Sequence, residues 1–242
     1  MDTHYHSTDH KAFTPSSILQ TARGYAAKGI PAFTPKGKQP PTPQPELADR
    51  HRRELEDGSG ISPEYIASRG YYTASRRADV PEVFKGRQRR LGLVIPTFSP
   101  SGATGFRLRP NNPITPERKY EQPYGVPSIL DVHPSNLERV QDPCVELWVT
   151  EGEKTADSLA CRGECVISIP GVHNFATKGS KGAGGLPCWD YVPLQGRVVT
   201  VVYDADAQTN PGVQLALGRL VKLLGSRGAD VYVVYLPEVA DA

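Results

Sequence analysis

The C-terminal part of the chain alternates short apolar runs with amphipathic segments. Val145–Thr150, Val166–Ile169, Val198–Tyr203 and Asp230–Leu236 are rich in Val, Ile and Leu and carry little charge. Continuous runs of this length predict strands buried on both faces, as in a parallel sheet. Between the first two, residues from Glu153 to about Arg162 read as a helix with Gly163 beyond its end. Before the last run, Val213, Leu217, Leu220 and Leu224 recur at helical spacing. Asn210 stands in the capping position, Pro211 in the first turn and Gly228 as the stop. Strands alternating with helices predict an α/β unit over 141–242, a sheet with helices on both faces.

The preceding residues carry a different pattern. Residues 1–15 are polar, with His4, His6 and His10, and are expected to be frayed. Ile18, Leu19, Ala22, Tyr25 and Ala26 give a mild helical period that Gly29 would end. Residues 34–46 are Pro-rich and predict an extended linker, so 1–46 is read as a flexible N-terminal segment. Residues 47–57 form a highly charged helix candidate. Ser62-Pro63-Glu64 opens another helix, which stops near Gly70. Leu91–Pro96 and Thr104–Arg109 predict two strands joined by the turn-forming Ser99-Pro100-Ser101-Gly102. Arg107 and Arg109 alternate with Phe106 and Leu108, so both arginines fall on one sheet face. Residues 47–140 therefore read as a smaller α+β subdomain with a basic face. Between the second and third C-terminal strands, the Gly/Lys-rich stretch 178–185 is too glycine-rich for a stable helix. It reads as a phosphate-contacting loop or as a plain connection, and it lacks P-loop order.

Composition sets outer bounds. With 38% hydrophobic and 22% charged residues among 242, the chain has a globular composition. No apolar run reaches the ~20 residues of a membrane helix, and the N-terminus has no secretory pattern. Cys144, Cys161, Cys165 and Cys188 form no C-x-x-C pair, which excludes the usual zinc spacings and predicts free thiols in a reducing cytoplasm. Charge is uneven. Arg69 to Lys119 holds eleven Lys/Arg against three acids, a local +8 that leaves −6 for the rest of a chain of net +2. A basic stretch of this kind suits a polyanion-handling protein or a solvated surface.

Chemistry enters with three carboxylates. Glu151 closes the run Leu147-Trp148-Val149-Thr150, and Asp204 and Asp206 follow the run ending at Tyr203. Ligands of open α/β sheets bind beyond the carboxyl ends of the strands. Carboxylates gathered there repel one another unless a cation neutralises them, and hard oxygen donors favour Mg²⁺ or Mn²⁺. Metal-assisted work on phosphates is the chemistry expected.

Glu151-Gly152 and Asp204-Ala205-Asp206, in this order and each at a strand end, resemble the two motifs of the toprim domain of bacterial-type primases, topoisomerases and some nucleases. Ile61-Ser62-Pro63-Glu64-Tyr65-Ile66, Gly92-Leu93-Val94-Ile95-Pro96, Gly105-Phe106-Arg107 and Arg118-Lys119-Tyr120 occur in the order seen in the catalytic core of bacterial replicative primases. Glu151-Gly152-Glu153-Lys154 with the segment from Asp204 to Pro211 is similar to an uncharacterised toprim-like family (DUF3854-like) of phage, plasmid and integrative-element replication proteins. The resemblance spans about residues 50–237. It implies a toprim-like sheet, Glu151 as a metal-linked general acid/base, and Asp204 and Asp206 as Mg²⁺ ligands. It also implies Arg107, Arg109 and Lys119 on the face holding template and nucleotide, with Lys154 near enough to contact phosphate. The chain departs from the primases in having no Cys/His zinc module ahead of the core and no helicase motif. It also ends shortly after its last strand, where relatives continue into an acidic segment. A separate partner chain or a missing C-terminal region is therefore expected to supply the helicase.

The function expected is primase-like nucleotidyl transfer on single-stranded DNA, with nucleotides as substrates, in a cytoplasmic replication system of a mobile element. A toprim nuclease using the same metals, and a non-catalytic nucleic-acid-binding module tethering a helicase, are the alternatives.

Overall fold

The computed structural model describes residues 45–115, 118–176, 184–203 and 210–235, all within the unit Gln44–Ala242. The N-terminal helix candidate, the histidines of the tail, most of the Pro-rich linker, Lys178 to Ala183, Asp204, Asp206 and Leu236 lie outside the described residues.

The first part builds a three-stranded antiparallel meander with two helices. Helix α1 (Asp49–Glu56) precedes α2 (Pro63–Arg69), whose Pro lies in the first turn as the sequence predicts. Strand β1 (Tyr72–Ala74) pairs with β2 (Gly92–Phe98), which pairs in turn with β3 (Thr104–Pro110). The hairpin expected between β2 and β3 forms, with Gly102 N–H donating to Ser99 O at 2.9 Å. Strand β1 was not anticipated, because three residues carry too little periodicity to stand out. Leu55, Ile61, Ile66, Tyr71, Leu93 and Ile95 form the core between helices and sheet.

After a short helix α3 (Leu137–Val140), the second part is a parallel sheet. Strands β4 (Leu147–Glu151), β5 (Val166–Ile169), β6 (Val198–Tyr203) and β7 (Asp230–Tyr235) lie in the order β5-β4-β6-β7. Helix α4 (Glu153–Ala160) covers one face, where Ala156 and Ala160 pack with Val166 of β5. Helix α5 (Pro211–Ser226) covers the other, where Leu217, Leu220, Leu223 and Leu224 pack on Val149, Ile167, Val199 and Val201. Asn210 caps α5 as predicted, its Oδ1 accepting from Gly212 N–H at 3.0 Å and Val213 N–H at 3.4 Å. The mixed α/β class is thus the one expected, with a four-stranded parallel sheet flanked by helices.

The two sheets are stitched together by polar groups. Asp131 forms an antiparallel bridge to Ser168 on β5, and its Oδ1 accepts from Phe98 N–H at 2.8 Å on β2. Arg69, at the end of α2 and fully covered, donates to Asp131 Oδ1 at 3.0 Å and Asp157 Oδ1 at 2.5 Å. Tyr71 Oη donates to Asp157 Oδ2 at 2.7 Å. Burial pulls the Arg69 pKa down, and the neighbouring Asp131 and Asp157 more than offset it, so the guanidinium stays firmly charged. Arg69 is therefore an interior cross-link, although the sequence counted it in the basic stretch. Arg197 is a second interior cation, solvated by the carbonyls of Val145 at 2.8 Å and Val140 at 2.7 Å.

Two groups of this seam give opposing pH dependences. His133 is held neutral by burial, down to about 4, with Arg69 adding to the effect. The geometry agrees: Nδ1 accepts from Ser135 N–H at 3.2 Å, and Nε2 lies 3.1 Å from the Tyr65 carbonyl, which only an N–H can satisfy. Asp131 is pushed up to about 6 by burial, against the pull of Arg69. In unfolded chains the two residue types titrate near 6.5 and about 3.9. The depressed His133 contributes stability that is present above about 6.5 and lost as pH falls toward about 4. The raised Asp131 contributes stability that is present below about 4 and lost as pH rises through about 6. Each is worth on the order of 3 kcal/mol. In urea melts between pH 4 and 6, His133→Gln is expected to tilt the stability curve downward with rising pH relative to wild type. Asp131→Asn is expected to tilt it upward. Tilts of the same sign in both variants would refute the assignment.

Candidate metal site at the strand switch

The strand order creates the crevice where an α/β sheet holds its ligand. Strand β4 leads to β5 on one side, and its neighbour β6 leads to β7 on the other. A reversal of strand order between adjacent strands such as β4 and β6 is where open α/β sheets bind their ligands. Glu151 is the last residue of β4 and is exposed at this switch. The chain then turns sharply into α4 through Gly152, which has φ +78. A side chain is strained in that conformation, so glycine must follow the glutamate.

Glu151 stands one step beyond the pair Thr150↔Val202, level with Tyr203 and, by strand alternation, on the same sheet face. The Tyr203 ring is part of the core, and its buried hydroxyl has no hydrogen-bond partner among the described residues. Burial raises its pKa and the Glu151 charge adds to the rise, so the hydroxyl stays protonated. After β5, Gly171 at φ +121 brings the backbone against the glutamate; a Cβ there would lie 3.9 Å from Glu151 Oε1 and 3.1 Å from Asn174 Nδ2. Asn174 fastens that turn by donating to Pro170 O at 3.1 Å.

Asp204 follows Tyr203 in the sequence, but it and Asp206 are outside the described residues. Among the described residues no group of three His, Cys, Asp or Glu side chains is placed to hold a metal. Of the three carboxylates singled out from the sequence, the described residues include one, Glu151, at the end of β4.

Most of the basic residues singled out from the sequence already hold carboxylates. Arg107 and Arg109 share a face of β3, as alternation requires. Arg107 pairs with Glu153 of α4 at 3.0 Å and lies over the Tyr120 ring at 5.7 Å. Arg109 pairs with Glu54 of α1, whose other oxygen takes Lys154 Nζ at 2.6 Å. Glu153 is buried, so it serves this ion pair as well as the helix terminus. Lys119 is exposed and has no ion-pair partner among the described residues. It lines a cleft of about 250 Å³ with Arg50, His51, Glu54, Arg109 and Asn111. Burial lowers the pKa of His51 and Arg50 adds to the effect, so the ring enters the cleft wall as a neutral hydrogen-bonding group, 2.8 Å from Thr73 Oγ1 and 3.2 Å from Asn111 Oδ1.

Arg50, His51 and Glu54 were missed by the sequence reading, which saw in residues 47–57 only a charged helix. Their signal was the charge itself, of which Glu54 is spent on Arg109 of β3 while Arg50 stays exposed. Tyr71 and Trp189 are core residues. Trp189 Nε1 donates to Phe175 O at 3.0 Å, so its polar edge is satisfied inside the protein.

No helix among the described residues is long and apolar enough to cross a membrane. No curated protein and no solved structure matches the chain. Residues 138–241 match the model of a family described as a domain of unknown function, DUF3854. That stretch includes the parallel sheet with its switch-point glutamate, and on it the C-terminal part of the chain is DUF3854-like.

Proposed function

We propose that this protein is a primase-like, metal-dependent nucleotidyltransferase acting on single-stranded DNA in the replication of a phage, plasmid or integrative element. The observation that carries the reading is the switch between β4 and β6. It presents the exposed Glu151 beside the strand that runs directly into Asp204-Ala205-Asp206. The Glu-Gly pair thus closes β4, and the Asp-x-Asp motif follows the neighbouring β6 in the sequence, in the order that resembles a toprim domain.

In this reading Glu151, Asp204 and Asp206 hold Mg²⁺ or Mn²⁺, which supplies activation of a 3′-hydroxyl and neutralisation of the leaving pyrophosphate. Glu151 accepts the proton of the attacking hydroxyl. Lys119 and Arg50, exposed on the cleft, take phosphates of the template or the nucleotide. Arg109 and Lys154 join them when a phosphate displaces the Glu54 carboxylate. Arg107 holds Glu153 and so fixes the first turn of α4 behind the catalytic glutamate. The cytoplasm is the compartment proposed, and a replicative helicase on a separate chain the partner.

The test is nucleotide incorporation on single-stranded DNA with Mg²⁺ or Mn²⁺, comparing wild type with Asp204→Ala/Asp206→Ala. Metal-dependent oligonucleotide synthesis by wild type and none by the variant is expected. Variant-sensitive cleavage of the template without synthesis would replace the primase by a nuclease. Binding of single strands with neither activity would leave a binding module.

A further inference from the structure

The positive charge left uncommitted lies elsewhere than on Arg107, Arg109 and Lys154, which all hold carboxylates. The segment 76–90 carries five arginines and a lysine against two acids. Asp79 takes Arg76. Among the described residues Arg77, Lys85, Arg87, Arg89 and Arg90 pair with no carboxylate. Three of them are fastened by main-chain carbonyls instead. Arg77 donates to Gly86 O at 3.5 Å, and Arg89 to Arg77 O at 2.9 Å and Val80 O at 3.1 Å. Arg90 donates to Arg87 O at 3.2 Å and Asn112 O at 2.7 Å. A carbonyl fixes a guanidinium without cancelling its charge, and each fork keeps donors to spare. Lys85 and Arg87 are exposed among them.

An aromatic ring is built into the same surface. The buried Gln88 side chain donates to Gln122 O at 2.5 Å and accepts from Tyr124 N–H at 3.1 Å. It clamps the loop carrying Tyr124 against the turn Gly86–Gln88. Tyr124 is left 57% exposed, with Arg118 beside it. On the other side, the Asn112 that holds Arg90 lies between Asn111 and Pro113, which line the cleft. The surface thus runs from the cleft rim to Tyr124.

We infer that single-stranded nucleic acid runs along this surface, with Lys85 and Arg87 taking its phosphates and Tyr124 stacking on a base. This rests on the proposed single-stranded DNA substrate and adds the path of the strand; it needs neither the metal nor the reaction. Guanidinium forks match phosphate oxygens. A ring set beside a row of cations is the pairing that holds single strands, whose bases are free to stack on it. The segment 76–90 holds two short turns and no amphipathic helix, so it has no apolar face to lay in a bilayer.

The experiment reads the fluorescence anisotropy of a labelled oligothymidylate of about 20 nucleotides, long enough to span such a site, with the full chain at several salt concentrations. Lys85→Gln/Arg87→Gln is expected to lower the slope of log affinity against log salt by about 1.4, the value for two phosphate contacts on a single strand. Tyr124→Ala is expected to weaken binding about tenfold with the slope unchanged, the loss of one stacked base. All three side chains are exposed, so melting temperatures equal to wild type are expected of both variants. The cleft variant Arg50→Gln/Lys119→Gln is the comparison. Binding weakened in that variant alone, with wild-type affinity and slope in the other two, would overturn the inference and leave the DNA substrate standing. Wild-type protein that binds no oligonucleotide, or binds phosphatidylserine vesicles in its place, would overturn the proposed substrate as well.

Discussion

Replacing Arg69 by Met is expected to cost about 3–5 kcal/mol, the range for removing one partner of a buried ion pair. For a domain of ordinary stability that is enough to populate the unfolded state at room temperature. Methionine restores much of the volume, so the loss is electrostatic. Asp131 and Asp157, both buried, would be left without their shared cation, and the Pro96 carbonyl would lose its donor at 3.0 Å. Because Asp131 also ties β2 to β5, the two sheets should loosen together. Urea melts of Arg69→Met beside Arg76→Met give the comparison. Arg76 pairs with Asp79 from a fully exposed position and its loss should be felt little. Equal losses in the two variants would show that the seam does not hold the fold.

Glu151→Gln is expected to lower metal-dependent nucleotide incorporation by about 10²–10⁴-fold, the usual contribution of a general acid–base group. The melting temperature should barely change. The amide keeps the size of the side chain, and the residue is exposed at a strand end, where substitution disturbs little packing. Two residues on, Glu153→Gln should do the reverse. Glu153 is buried against Arg107, so its neutralisation leaves a cation short of its partner and should lower stability. The two glutamates of Glu151-Gly152-Glu153 thus separate chemistry from structure, read by initial rates and thermal melts on the same preparations. A Glu151→Gln protein that retains full incorporation would remove this residue from the reaction.

What the sequence determined by itself is the set of elements whose causes are local. The apolar runs of β4 to β7, the Asn210 cap, the Pro residues opening α2 and α5, and the β2–β3 turn each depend on neighbours a few positions apart. The strand end bearing Glu151 was legible for the same reason, since a glutamate-glycine pair after a buried run can only turn outward there. What the tertiary structure decided is where the charges go. Lys154 meets Glu54 across 100 positions and Arg69 meets Asp157 across 88. No local pattern encodes such a pair, because it costs chain entropy that only the finished core repays. Arg69 and Arg107 thus passed from surface candidates to interior ties, and Arg50 and His51 came to line the cleft. Tyr203, an unremarkable end to an apolar run, became a buried hydroxyl beside a glutamate. That juxtaposition required β6 to lie against β4, and strand order is a property of the whole sheet, set by how the apolar faces of its strands and helices are buried together.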